Sequence, residues 1–292
     1  MKTILQVAMM LALCAPLFAQ VADPRPKSQK EAEALMAIQD ATDPDVRIEA
    51  IHSLLTGFKN TEFKEYANFM MMLSYQQKND FEMMLLYGES TLAINPTNLD
   101  TLLSLGYAIP ARTGEFDLDK EEKLAKAEDF AKRALLAIPT LENTNEDITP
   151  EAWLVAKKNY MSQAHDSLGL IAMQRKDYAA AEGSFRQSLQ VAGEQGATTF
   201  YHLARTLREL DKNDEAMEMI DKAIAAGGVM TGSGQDLAKV VKAQLIKAKV
   251  AAMMKKSRPA ATPAAPVVVP VATPPAAAAP GTEAEAEAVK QP

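Results

Sequence analysis

The sequence feature that most limits the possible fold is that the chain resembles itself when it is shifted by 35 residues. Residues 166–185, DSLGLIAMQRKDYAAAEGSF, contain two helical patterns of apolar residues separated by a turn at Arg175–Asp177. The shift superimposes small and apolar positions on one another: Leu168, Gly169, Ala181, Phe185 and Ser188 on Leu203, Ala204, Ala216, Ile220 and Ala223. A repeat of this length predicts a stack of helical hairpins.

Gly169 lies inside the first helical pattern of its hairpin, where a glycine costs about 1 kcal/mol relative to alanine. We therefore expect another backbone to come close to the helix at this position. The equivalent residues in two other copies are also small, Gly106 and Ala204. The small residue thus predicts where the two helices of each hairpin cross.

Earlier copies of the pattern are more divergent. Residues 99–140 carry Leu105 and Gly106 but have about nine extra residues between the two helical patterns. Residues 65–98 have Met72 at the small position and Met84 where alanine is expected.

These residues resemble the tetratricopeptide repeat (TPR), a helical hairpin of about 34 residues with a Leu-Gly pair followed by Ala, Phe, Ala and Pro. The resemblance covers residues 65–98, 99–140 with an insertion, 162–195 and 197–230. It implies an all-α fold: a right-handed α-α superhelix of antiparallel hairpins with about 11 helices. It assigns repeat packing to Leu105, Gly106, Leu168, Gly169, Ala181, Phe185, Leu203, Ala204, Ala216 and Ala223.

Further helices are predicted on both sides of these copies. Residues 28–60 are predicted to form an N-terminal hairpin. Ser28 and Asp43 would cap its two helices, and Pro44 would lie in the first turn of the second helix. Residues 61–255 form the predicted array, which contains a long helix opened by Thr149 and Pro150 and is closed by a helix at 234–255. The closing helix is expected to cover the last repeat.

The two ends of the chain differ from the array in composition. Residues 1–19 have one lysine, an apolar run and small residues near Ala19, which is typical of a secretory signal peptide cut after Ala19. A lipoprotein processed at Cys14 and an uncleaved anchor are the alternatives. Residues 257–292 are rich in proline and alanine, for which we expect a disordered tail. The expected location is the periplasm.

Neither charge nor motifs indicate catalysis. The net charge of −7 argues against nucleic acid as a partner. The three histidines lack zinc-helix spacing, and the glycines at 227–234 lack the Lys-Ser/Thr ending of a phosphate loop. The acidic residues alternate with lysines at helical spacing, which is typical of a solvated helix face. We predict that the chain is not an enzyme and has no metal or cofactor site.

The resemblance implies a groove lined by the first helix of each repeat, in which a protein or peptide binds. At the matching positions this sequence has aromatic, apolar and polar side chains, a mixture suited to a peptide with hydrophobic anchors. The candidate groove residues are Tyr66, Phe69, Leu73, Gln76, Leu103, Tyr107, Asp166, Leu170, Gln174, Tyr201, Arg205 and Arg208.

The function predicted from the sequence is a scaffold for protein–protein interactions in a bacterial cell envelope, with peripheral association with envelope complexes. The alternative is a structural subunit or spacer of an outer-membrane assembly or secretion complex.

Overall fold

The structure is a computed structural model that describes residues 24–257. This part of the chain consists of helices joined by loops, which confirms the predicted all-α class and number of helices. The predictions for residues 1–19 and for the tail, apart from Ser257, lie outside the described residues. The helices are α1 Gln29–Asp40, α2 Pro44–Gly57, α3 Lys64–Gln77, α4 Phe81–Ile94, α5 Leu99–Arg112, α6 Lys120–Ala137, α7 Pro150–Gln174, α8 Tyr178–Val191, α9 Ala197–Glu209, α10 Asn213–Ala225 and α11 Leu237–Ser257, with a 3-10 turn at Ile138–Thr140.

Consecutive helices pack as hairpins, and each hairpin packs on the next one along the chain. The pairs are α1 with α2, α3 with α4, α5 with α6, α7 with α8, and α9 with α10. Contacts divide the chain into two units, Met1–Ala248 and Lys249–Pro292. The first unit holds all five hairpins and the beginning of α11. The described part of the second unit, residues 249–257, is the end of α11.

The helix starts follow the capping residues predicted from the sequence. The Ser28 side chain accepts a hydrogen bond from the Glu31 N–H, and Asp43 accepts from the N–H groups of Asp45 and Val46. Thr149 caps α7 in the same way, and a proline follows both Asp43 and Thr149. Each cap satisfies N–H groups that have no partner within the helix.

The turn inside the hairpin recurs with one backbone geometry. At Asn79, Lys176 and Asp211, φ is 60°, 61° and 58°, which is the left-handed region. In each case the following N–H donates to a carbonyl five residues earlier, as Asp177 does to Ala172 O. This motif ends the first helix and reverses the chain. It confirms the turn predicted at Arg175–Asp177.

Replacing Asp211 by glycine is expected to stabilise the protein, because glycine adopts positive φ without the steric penalty that a Cβ adds. The expected gain is about 1 kcal/mol, seen as a rise in Tm of about 2–4 °C in thermal unfolding. The matched control is Asp211→Ala, which removes the same carboxylate but keeps the Cβ. An equal gain in both variants would contradict the explanation.

The contact at Gly169 differs from the prediction. A Cβ on Gly169 would lie 2.5 Å from Cε1 of the buried Phe185 ring, so a side chain rather than a backbone occupies the space. At Gly106 the neighbour is backbone, but a Cβ would lie 3.5 Å from Ala131 N, an ordinary contact distance. The prediction of a close backbone at position 169 is wrong, because the aromatic ring from α8 is inserted against α7.

The residues assigned to repeat packing lie in the interior. Leu168 is half-buried against the core of the middle hairpins, and the other nine are buried. Three core clusters follow one another along the first unit: one around α1 to α3, one around α3 to α7, and one around α7 to α11.

Two departures from a regular repeat stand out in the middle of the array. The connection between α5 and α6, residues 113–119, exposes Phe116 and Leu118 almost completely. α7 is 25 residues long, and its first half supports the next loop, where Asn159 Oδ1 accepts hydrogen bonds from the N–H groups of Gly193 and Glu194. Within residues 24–257, no helix combines the length and the apolar character needed to cross a membrane.

Candidate functional site: a groove around Tyr107

Three adjoining pockets meet at Tyr107 on α5. Its side chain lines all three, and 37% of the residue is exposed. The other lining residues come mainly from α3, α5, α7 and α9, the first helices of four consecutive hairpins. We call this surface the Tyr107 groove.

The first of these, the Asp166 pocket, has a volume of about 350 Å³. It combines apolar walls from α5 with amide, hydroxyl and carboxyl groups from neighbouring helices. Its lining residues are Gln76, Leu103, Ser104, Tyr107, Ala108, Gln163, Asp166 and Thr198.

The Asp166 carboxyl is only partly satisfied. Its Oδ2 accepts a hydrogen bond of 2.7 Å from Thr199 Oγ1 on α9, while Oδ1 has no hydrogen-bond partner among the described residues. Burial raises the pKa of this carboxyl from 3.8 to about 6, and the hydroxyl groups of Thr199 and Ser188 oppose part of that shift. The field of Asp166, after the effect of burial, also raises the pKa of Tyr107. A polar group with an unused acceptor therefore lies at this pocket.

The second, the Arg205 pocket, has a volume of about 300 Å³ and lies between the ends of α5, α7 and α9. The Arg205 guanidinium lies over the Tyr201 ring, 5.5 Å from its centroid. Among residues 24–257 no carboxylate forms an ion pair with Arg205, since the nearby Glu209 is paired with Arg208. The pocket is lined by Tyr107, Pro110, Ala111, Leu170, Met173, Gln174, Tyr178, His202, Arg205 and Glu209.

His202 is the buried polar residue of the Arg205 pocket. Its ring stacks on Phe185 at 5.6 Å and meets Tyr201 edge-on at 5.2 Å. Nδ1 has no hydrogen-bond partner among the described residues. Burial, with a smaller effect from the Arg205 charge, lowers the pKa of His202 from 6.5 to about 3, so the ring is neutral at physiological pH.

The third, the Arg112 pocket, is smaller, with a volume of about 190 Å³. Arg112 donates a hydrogen bond to Asn79 Oδ1 and lies over the Phe81 ring, 5.4 Å from its centroid. These contacts connect α5 to the turn between α3 and α4. The pocket extends the groove towards the N-terminal hairpins.

The structure brings seven of the twelve candidate groove residues to these pockets: Gln76, Leu103, Tyr107, Asp166, Leu170, Gln174 and Arg205. The other five do not line them. Phe69 and Leu73 pack against the core of the middle hairpins, and Tyr66 packs against the N-terminal core. Tyr201 belongs to the C-terminal core and is 8% exposed, while Arg208 donates to Gln244 on α11.

The sequence argument missed several groove residues, and helical spacing could have found some of them. Gln163 lies one turn before Asp166 on the same face of α7. On α9 the residues that line the pockets are Thr198, His202, Arg205 and Glu209, whereas the predicted residues were Tyr201, Arg205 and Arg208. Arg205 is common to both sets, while Tyr201 and Arg208 each lie one residue away from a lining residue.

Among residues 24–257, no group of three or more His, Cys, Asp or Glu side chains is placed to hold a metal ion. The groove offers a ligand apolar walls, the Asp166 carboxyl with an unpaired oxygen, and the Arg205 guanidinium, which forms no ion pair among the described residues.

Comparisons with known proteins show the fold. No family model matches the chain, and no curated protein sequence is significantly similar to it. PilW, described as a widely conserved type IV pilus biogenesis factor, has a similar structure with a TM-score of 0.51 at 17% identity, over 78% of this chain and 94% of PilW.

Two further solved structures are similar at lower TM-scores. TTC0263, a thermophilic TPR protein of Thermus thermophilus, has a TM-score of 0.49 at 18% identity, over 74% of this chain and 99% of that chain. PilF of Pseudomonas aeruginosa has a TM-score of 0.46 at 18% identity, over 77% of this chain and 86% of that chain.

Proposed function

We propose that this chain, whose fold is that of tetratricopeptide-repeat proteins, is a non-enzymatic scaffold that binds a peptide segment of another protein in the Tyr107 groove. The observation that carries the proposal is that the three pockets adjoin at Tyr107 and are built from consecutive hairpins. A row of adjoining pockets suits a chain with several side chains better than a single compact molecule.

Tyr107 has the properties of a binding anchor. It is a large aromatic side chain, partly exposed, fixed on a helix and bordered by all three pockets. Interfaces concentrate their binding energy in a few such aromatic residues near their centre. We therefore expect Tyr107 to contact the bound peptide along much of the groove.

We also propose that the protein is exported and works in the cell envelope. The support is the signal-peptide pattern of residues 1–19, together with the likeness in fold to PilW, a type IV pilus biogenesis factor. On this proposal the bound segment belongs to an envelope protein.

Replacing Tyr107 by alanine is expected to remove partners that are crosslinked to the protein in intact cells, because the variant loses the side chain shared by all three pockets. We expect at least about a tenfold loss of recovered partner. The matched control is Leu86→Ala, which removes another partly exposed side chain from α4, the second helix of its hairpin. Partners recovered equally with Tyr107→Ala and the wild type would contradict the groove assignment. Recovery of partners only from the cytoplasm would contradict export.

A second candidate role is a structural part or spacer of an envelope assembly, which the likeness in fold to a pilus biogenesis factor favours. Deletion of residues 258–292 would then disturb the assembly while leaving the groove crosslinks of the previous experiment in place. Normal assembly in the deletion strain would count against this role.

A further inference from the structure

Two of the charged groups that line the Tyr107 groove, Asp166 and Arg205, form no ion pair among residues 24–257. The Asp166 carboxyl accepts a hydrogen bond of 2.7 Å from Thr199 on α9. It therefore lies beside residue 199 along the axis of α9. Arg205 lies six residues further along α9, which corresponds to about 9 Å of helix. A negative and a positive group thus lie about 9 Å apart along the axis of α9, with Tyr107 bordering the pockets of both.

The carboxyl end of this pair can accept a donor from a ligand. Asp166 lines its pocket, and its Oδ1 has no hydrogen-bond partner in the described part of the chain. The other polar groups that line this pocket are neutral. A buried carboxylate without a cation gains most from a charge-assisted hydrogen bond, since the surrounding dielectric is low.

The guanidinium end can take a carboxylate. Arg205 is half-buried, and its guanidinium lies over the Tyr201 ring. The acidic residue one helical turn away, Glu209, forms an ion pair with Arg208 instead. The remaining N–H groups of Arg205 can donate hydrogen bonds to a carboxylate of a ligand, because the two oxygens of a carboxylate match the planar guanidinium.

We propose that the groove selects extended peptides in which a lysine or arginine at Asp166 lies three residues from an aspartate or glutamate at Arg205. Three extended residues span about 10 Å, which matches the separation of the two groups along α9. This inference rests on the proposed function, because it names the chemistry of the peptide that the groove would hold.

The test uses four synthetic peptide libraries of 12 residues, incubated with the immobilised full chain and quantified by mass spectrometry. Two positions three residues apart are fixed as Lys and Glu, Lys and Gln, Gln and Glu, or Gln and Gln, in both orders, and the other positions are randomised. We expect the wild type to retain Lys/Glu peptides about tenfold more than Gln/Gln peptides.

The variants assign each preference to one group. Asp166→Asn keeps the acceptor for Thr199 and should lose the preference for lysine while keeping the preference for glutamate. Arg205→Gln should show the reverse. The matched control is Asp129→Asn, which removes an exposed carboxylate from α6 and should leave both preferences unchanged.

Two results would overturn the inference, and they differ in what else they affect. Equal retention of all four libraries by the wild type would contradict the charge selection and leave peptide binding standing. Retention of none of them would contradict peptide binding in the groove and the selection with it.

Discussion

Replacing Gly169 by alanine is expected to lower the stability of the protein, although alanine is the better helix former. The added Cβ would lie 2.5 Å from the Phe185 ring, which is completely buried and packed between α7, α8 and α9. Overpacking of this kind costs about 1–3 kcal/mol, and the gain in helix propensity offsets about 1 kcal/mol of it. The net cost of up to about 2 kcal/mol should appear in thermal unfolding as a fall in Tm of up to about 8 °C.

Gly106 provides the matched control for this substitution. It holds the same repeat position, but a Cβ there would meet backbone atoms at 3.5 Å or more. Gly106→Ala should therefore leave Tm unchanged or raise it by about 2 °C. Adding Phe185→Leu to Gly169→Ala should recover part of the loss, because the smaller side chain clears the space. If Gly169→Ala is as stable as Gly106→Ala, the ring does not limit this position.

Replacing His202 by phenylalanine is expected to make the protein more resistant to acid. The pKa of His202 is 6.5 in the unfolded chain and about 3 in the fold. Burial of the neutral ring therefore contributes its full stabilisation of the fold above pH 6.5, and this stabilisation is lost as the pH falls towards 3. At pH 4.5 the loss is roughly 2–3 kcal/mol. Phenylalanine keeps the stacking position on Phe185 and has no proton to take up.

We expect Asp166 to affect the pH dependence of protein stability in the opposite direction to His202. Its pKa rises from 3.8 in the unfolded chain to about 6 in the fold, so burial of the charge destabilises the protein above pH 6 and this effect disappears as the pH falls to 3.8. We therefore expect denaturant unfolding from pH 4 to 8 to show two effects on the free energy of unfolding. Relative to the wild type, it should rise for His202→Phe at low pH and for Asp166→Asn at high pH. The control His52→Gln alters an exposed histidine on α2 and should follow the wild type. Parallel profiles for all variants would contradict both shifts.

The packing of the hairpins could be predicted because it repeats. The correspondence of Gly169 with Ala204 fixed which faces of α7 and α9 turn inward, and both residues are buried. The identity of the neighbour could not be read in the same way. A small residue indicates only that a neighbouring group lies close to the helix. That group can be a backbone or a side chain, such as the Phe185 ring.

The groove was harder to predict at the last repeat than in the middle of the array. α11 contributes Ala238, Val241 and Leu245 to the core that contains Tyr201, and Gln244 accepts from Arg208. The face of α9 that carries Tyr201 and Arg208 is therefore a packing face, and the groove uses the neighbouring stripe. Similarly, the hydrogen bond that Asp166 accepts comes from Thr199, 33 residues away, and no local pattern reveals it.

The packing of each hairpin on its neighbours also has a mechanical consequence. No contact with a distant part of the described chain clamps the first unit, since the main contacts of each helix are with its own or adjacent hairpins. A pulling force applied at the ends of this unit would be carried by the hairpin interfaces in series, so extension is expected to proceed in steps of one hairpin. The interface around Phe185, which joins α7, α8 and α9, would be one of those that carry the load.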